Sequence, residues 1–182
     1  HARLPRDAFD LAVGNVPFGA YPVHDPVFNP RLFSIHNYFI SKCVALTRPG
    51  GLVALITSRY TLDQADTSVR AYIAQRADLV AAIRLPDTAF RGRAVQRVTT
   101  DLLILRRRSK DEPASGPAWL DTVEVETPDG SARVNEYFAR FPEMIAGDLR
   151  LTGKSQFRTD EPAVVVPAGS TTEEELDRVL AL

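Results

Sequence analysis

Four short apolar runs punctuate the first part of the chain. Phe9 to Val13 ends at Gly14-Asn15, and Leu52 to Thr57 follows Pro49-Gly50-Gly51. Leu79 to Leu85 stops at Pro86, and Thr100 to Leu105 at Arg106-Arg107-Arg108. Runs of this length between Gly and Pro predict strands. Leu52 to Thr57 shows no polar alternation, which predicts a strand covered by helices on both faces. Leu32, Ile35, Phe39, Cys43 and Leu46 recur at helical spacing and predict one buried helix face. Asn29 or Ser34 is placed to cap that helix, and Pro49-Gly50-Gly51 to stop it. Asp66 is placed to cap a second helix, with Val69, Tyr72, Ile73 and Arg76 on its face. Between strand and first helix, residues 19 to 31 hold Gly19, Pro22, Pro26 and Pro30 and read as a loop.

Strand, helix, strand, helix, strand, loop, strand is α/β organisation. No helix separates the last two strands, so they are expected to pair antiparallel at the sheet edge. In open sheets of this kind ligands sit at the carboxyl ends of the strands, where Asn15, Thr57-Ser58 and Leu85-Pro86-Asp87 fall. Three segments are expected: residues 1–108 as the main unit, 109–131 as a linker or mobile loop, and 132–182 as a small irregular extension. The linker is rich in Pro, Gly, Asp, Glu and Ser, with Trp119 and Val123 placed to pin it to a surface. In the extension, Val134 to Met144 predicts a short helix broken by Pro142, and Ala163 to Val166 a short strand. Thr171 with Glu174 forms a capping-box pattern that opens a final helix.

Composition narrows the functional classes. Hydrophobic residues make up 45% and charged residues 25% of the 182, as in a water-soluble globular domain. Net charge is -1, which argues against a uniformly basic nucleic-acid binder but leaves room for a local basic patch. Cys43 stands alone, so neither an internal disulfide nor a thiolate cluster can form. His1, His24 and His36 show no ligand spacing, and no metal site is expected. The longest apolar run is too short to span a bilayer, so no membrane partner is expected and a cytoplasmic location is the default. The chain begins at His1 rather than Met, with a strand almost at once, and reads as a piece of something longer.

The densest chemistry lies at Asn15-Val16-Pro17-Phe18-Gly19, behind the first strand. An amino nitrogen on a planar base is a poor nucleophile, because its lone pair is delocalised into the ring. Gripping both N–H bonds with acceptors outside the ring plane frees that pair. The Asn15 side-chain oxygen is one acceptor, and the Val16 carbonyl is the nearest second. Pro17 fixes its own φ and biases Val16 to an extended conformation, so the carbonyl is aimed in advance. Phe18 can stack on the base, and Gly14 and Gly19 allow close approach. No strong base is needed, since the proton leaves an amine made acidic by the transfer itself.

These residues resemble a family. Asn-Pro-Pro-Tyr/Phe after a strand is the catalytic motif of amino-group DNA methyltransferases. Asn-Val-Pro-Phe-Gly is similar to the variant in large phage and plasmid adenine-N6 methyltransferases, often fused to helicase segments. The resemblance continues through Ser34-Ile35-His36-Asn37-Tyr38-Phe39, Arg48-Pro49-Gly50-Gly51-Leu52 and Ile56-Thr57-Ser58. It extends through Ile83-Arg84-Leu85-Pro86-Asp87-Thr88-Ala89-Phe90 and Thr100-Asp101-Leu102-Leu103-Ile104-Leu105. In all it spans residues 7 to 108, with Val16 where the family has its first proline. It implies the C-terminal half of a Rossmann-like class I methyltransferase sheet, acting in restriction-modification or antirestriction. By that resemblance Asn15, Val16, Pro17 and Phe18 are catalytic, and Phe18, Gly19 and Tyr21 bind the substrate base. S-adenosylmethionine is the implied methyl donor, with Asn15 at the edge of its site. The family's Phe-x-Gly-x-Gly turn and ribose-binding acid have no counterpart in this sequence, and residues 109–182 hold no Gly-x-Gly. An upstream methyltransferase half and helicase segments are therefore expected partners, and the chain alone is expected to be inactive. Two alternatives stay open: methylation of a protein glutamine or an RNA base, and a non-catalytic DNA- or partner-binding fragment.

Residues 84 to 108 hold seven arginines against Asp87 and Asp101, a local charge of +5. Arg91, Arg93 and Arg97 are the candidates for contact with DNA phosphates. Arg106 to Arg108 read as a solvated strand end. His36 reads as a hydrogen-bonded helix residue, since the chemistry needs no imidazole base. Cys43 reads as core, and Tyr21 and His24 either line the base pocket or sit in a mobile loop.

Overall fold

The computed structural model describes residues 4–19, 21–90, 99–153 and 160–182. The apolar runs form strands: β1 (Phe9–Asn15), β2 (Thr47–Ser58), β3 (Ala77–Leu85) and β4 (Thr100–Arg107). Helices α1 (Ile35–Leu46), α2 (Tyr60–Asp63) and α3 (Ser68–Ala74) lie among them in sequence. The four strands make one sheet in the order β1-β2-β4-β3. β1 runs parallel to β2, from Leu11 opposite Leu52 to Asn15 opposite Ile56. The expected neighbours β3 and β4 do lie side by side, but β4 takes the inner place, next to β2.

The helix face differs from the one the spacing predicts. Ile35, Tyr38, Ile40, Val44 and Leu46 are buried in α1, together with His36, Asn37 and Ser41. Phe39 and Cys43 are only half-buried, and Leu32 lies outside the helix, exposed, with a φ of +55°. Apolar residues occur around most of this helix, so periodicity alone does not single out the inward face. The proposed stop, Pro49-Gly50-Gly51, lies inside β2 after α1 has ended at Leu46. There the register with β1 slips between Phe9 and Leu11. A side chain at Gly51 would stand 2.6 Å from Thr47 Cγ2 and 2.7 Å from the Asp10 carbonyl, which explains the glycine.

The two faces of β2 are covered unequally, with Ala54 and Ile56 half-buried. Val53, Leu55 and Thr57 are buried, while Leu52 is 42% exposed. The same holds more strongly for β1, where Leu11 is 54% and Val13 75% exposed. A strand with this composition is normally interior, so within this chain β1 and β2 present a partly uncovered apolar face.

The chain divides into two compact units that alternate along the sequence. One comprises His1–Thr57, Asp66–Ala82 and Leu102–Ala118; the other comprises Ser58–Ala65, Ile83–Asp101 and Trp119–Leu182. In the first, Ile40, Val44, Val53, Leu55, Leu79, Leu103 and Leu105 are buried, each worth about 1.5–3 kcal/mol relative to exposure. In the second, the segment read as a linker gives way to an antiparallel hairpin, β5 (Thr122–Thr127) and β6 (Gly130–Asn135). Pro128-Asp129-Gly130 is its turn, so these turn residues mark a hairpin rather than a tether. Trp119 is buried, whereas Val123 is exposed. Asn135 then caps α4 (Glu136–Arg140), accepting the Tyr137 N–H, and a 3-10 turn covers Pro142–Met144. A second antiparallel pair, β7 (Asp148–Gly153) and β8 (Glu161–Val165), precedes α5 (Thr172–Leu180). Thr171 and Glu174 form the expected capping box in both directions. Among the described residues no helix is long and apolar enough to cross a membrane.

Candidate functional site

Asn15 is the last residue of β1, opposite Ile56, and it is exposed. The next residue continues the ladder: the Val16 N–H donates to the Ile56 carbonyl at 3.0 Å. The Val16 side chain is buried, so the chain is anchored just beyond the asparagine. Pro17 and Phe18 then emerge, with Phe18 42% exposed. Gly19 is half-buried under the Tyr21 ring; a Cβ there would meet Tyr21 Cε1 at 2.7 Å and Ile35 Cγ2 at 3.2 Å. Tyr21 is exposed, and its carbonyl accepts the Ile35 N–H at 3.0 Å. Pro22 and Ser34 complete the tie as an isolated antiparallel bridge.

His36 reaches this turn from α1. Its Nδ1 lies 3.2 Å from the Gly19 carbonyl, and Ser34 Oγ lies 3.2 Å from Nε2 and 3.4 Å from Nδ1. Burial pushes the imidazole below its ordinary value, against the opposing pull of the Gly19 carbonyl, so the ring is neutral near pH 7. Ser34 is the N-cap residue by position but makes no side-chain cap bond; its hydroxyl serves His36 instead.

The loop before α1 is held by Asn29, which lies outside the helix and does not cap it, and by Asp25. Asn29 is buried, donates to the Val23 and Phe33 carbonyls at 2.9 and 3.0 Å, and accepts the Phe33 N–H at 2.8 Å. Asp25 accepts the Val27 and Phe28 N–H groups, the Tyr38 hydroxyl at 2.8 Å and Lys42 Nζ at 3.4 Å. The Tyr38 bond is the main reason that the Asp25 carboxyl sits below its usual range. An Asx-type pattern at Asp25, two and three residues before its acceptor bonds, was the available sequence signal.

The arginine cluster resolves differently along its length. Arg91, Arg93 and Arg97 lie outside the described residues. Arg84 is fully buried and paired to Asp101 and Asp63. Arg106 and Arg108 both pair with Asp78, and Arg107 pairs with Asp7. The strand end is thus not simply solvated: its guanidinium groups are committed to carboxylates of the chain itself.

The second unit carries a cleft of about 520 Å³ lined by Arg59, Tyr60, Asp63, Glu124, Arg133 and Glu161, among others. Arg59 pairs with Asp63 and Glu161, and the Tyr60 hydroxyl donates to the same Glu161 oxygen. Arg133 pairs with Glu124. Among the described residues no three His, Cys, Asp or Glu side chains are grouped to hold a metal ion.

No family model matches the chain. It is 26% identical over 106 residues to defense against restriction protein B of Escherichia phage P1, a match covering 57% of this chain and 5% of the phage protein. Among solved structures it resembles a class I S-adenosylmethionine-dependent methyltransferase of Listeria monocytogenes. That likeness has a TM-score of 0.51 and 22% identity, over 64% of this chain and 37% of the other. The EcoKI M protein, a type I restriction enzyme component, aligns at TM-score 0.46 and 13% identity, over 96% of this chain and 48% of its own. The chain therefore spans less than half the length of each of these proteins, and its α/β sheet shares the Rossmann-like fold of the Listeria structure.

Proposed function

We propose that this chain is the base-gripping half of a DNA adenine-N6 methyltransferase. One observation carries the reading: β1 ends by presenting an exposed Asn15 and an exposed Phe18 on either side of a buried, ladder-bonded Val16. In this reading the Asn15 side-chain oxygen and the Val16 carbonyl accept the two N–H bonds of a flipped adenine. The phenyl ring of Phe18 stacks on the base, a contact worth about 1–3 kcal/mol. Because Val16 is already fixed to β2, its carbonyl is oriented before the base arrives, and no ordering cost falls on the reacting complex. Tyr21, exposed beside Gly19, borders the same base. His36 is hydrogen-bonded to the turn through the Gly19 carbonyl.

S-adenosylmethionine would supply the methyl group as an electrophilic sulfonium carbon. Asn15 is the residue proposed to stand at the edge of its site. The partly uncovered apolar face of β1 and β2 supports a further half, since Leu11, Val13 and Leu52 call for another layer. The upstream methyltransferase half and helicase segments are the proposed companions, with DNA as substrate. Arg91, Arg93 and Arg97 remain proposed phosphate contacts on the strength of their charge. A setting in restriction or its evasion is supported by the name of the phage P1 relative.

The test is methyl transfer by the full-length protein to DNA, with the product nucleoside identified after digestion. Asn15→Ala is expected to reduce transfer by 100-fold or more, on the order of the loss seen when one preorganised polar contact is removed from a reacting centre. Its circular dichroism should match wild type. Transfer at near wild-type rate by Asn15→Ala, or a product other than N6-methyladenine, would refute the proposal.

A further inference from the structure

We infer that His36 is a positioning residue for the Asn15–Gly19 turn, acting through the Gly19 carbonyl; the inference rests on the adenine reading above. The turn has an anchor at each end. At one end the buried Val16 is bonded to Ile56 at 3.0 Å. At the other, His36 Nδ1 lies 3.2 Å from the Gly19 carbonyl. The exposed Pro17 and Phe18 stand between the two. Phe18 can stack at a defined height only if both anchors hold, because the aromatic ring gains nothing from a backbone that moves beneath it.

The donor direction follows from the partners. A carbonyl can only accept, so the hydrogen is on Nδ1; Ser34 Oγ sits beside the same ring, 3.2 Å from Nε2 and 3.4 Å from Nδ1. Ser34 is the residue before α1, and its backbone bridges Pro22. Helix start, imidazole and turn therefore form one connected strut. A histidine retained for packing alone needs no partner in a distant segment, yet this ring reaches 17 residues back to the motif turn. Its Nδ1 is engaged by the Gly19 carbonyl, so the ring holds the turn.

The experiment uses the full-length protein and compares His36→Ala, His36→Asn and His36→Gln with Asn15→Ala in steady-state methylation of DNA. Asparagine presents an N–H at the same number of bonds from Cβ as Nδ1, while glutamine places it where Nε2 was. His36→Ala and His36→Gln are expected to lower kcat about 10- to 100-fold with little change in KM for DNA, as misplacement of a reacting group does. His36→Asn is expected to restore most of kcat. Melting temperatures are recorded for every variant. Wild-type kcat in His36→Ala beside an inactive Asn15→Ala would overturn the positioning role alone. Equal loss in all three His36 variants, in step with their melting temperatures, would overturn it as well. An active Asn15→Ala would instead sink the adenine reading.

Discussion

Replacing Asp101 by alanine should be among the most damaging single changes outside the turn. Arg84 and Asp101 are both fully buried. Arg84 Nε and Nη2 donate to the two Asp101 oxygens at 2.9 and 3.0 Å, and Nη2 also donates to Asp63 Oδ1 at 2.8 Å. The guanidinium lies 4.2 Å above the Phe138 ring. Burial by itself would lower the Arg84 guanidinium, but Asp101 and Asp63 outweigh it and raise the group, so the arginine stays charged. Removing Asp101 strands that charge with half of its carboxylate partners. Loss of one partner of a buried pair costs about 3–5 kcal/mol. For a chain of this size about 2–4 °C of melting temperature goes with each kcal/mol, so a drop of roughly 6–20 °C is expected. The assay is thermal unfolding followed by circular dichroism, with a denaturant midpoint as a second measure. Substituting both partners by apolar residues, Arg84→Met with Asp101→Leu, should recover part of the loss, because the stranded guanidinium is gone while Asp63 keeps its ion pair to Arg59 and its bond from the Asn135 N–H. An Asp101→Ala melting temperature within about 2 °C of wild type would refute the argument, as would a double variant no better than the single one.

Two further changes follow from local geometry. Gly51→Ala should cost about 1–3 kcal/mol, because its Cβ would meet the Asp10 carbonyl, which cannot move without shifting β1; a denaturant midpoint equal to wild type would contradict this. The Asp129 carboxyl is held down at about 2, chiefly by its hydrogen bonds from Arg150 and then by the Leu151 N–H, against an ordinary 3.8. A depressed folded value means the tie is fully present above pH 4 or so and is lost as pH falls through about 2. Carboxyl NMR should show Asp129 titrating near that low value, and Arg150→Gln should return it toward 3.8; an unshifted Asp129 in wild type would remove the tie.

Where the physics is local, the chain could be read directly. Strands end at Asn15 and Leu85 because Pro and Gly chemistry stops a ladder within a residue or two. The Thr171–Glu174 capping box is legible because both of its bonds span three residues. The Asn15–Gly19 turn stands out for the same reason, as a strand end followed by a stiff aromatic turn. The hairpin at residues 122–135 shows how far this reaches. Its Pro-Asp-Gly turn is plain, but the flanking Glu and Thr residues make half-exposed strands that look like a polar tether.

Tertiary structure alone decided the rest. The sequence determined an α/β order of elements, the place of the candidate base-gripping turn and the start of the last helix. It did not determine that Ile40 and Val44 face inward while Phe39 and Cys43 face partly out, because α1 is apolar on several sides and its packing neighbours choose the face. Nor did it reveal that Arg84 belongs to Asp101 and Asp63, 17 and 21 residues away. Charge is written in the residue, but its partner is set by the fold. The same distinction governs His36. Its type and helix position are local facts, while its bond to the Gly19 carbonyl exists only because the loop folds back onto the start of α1.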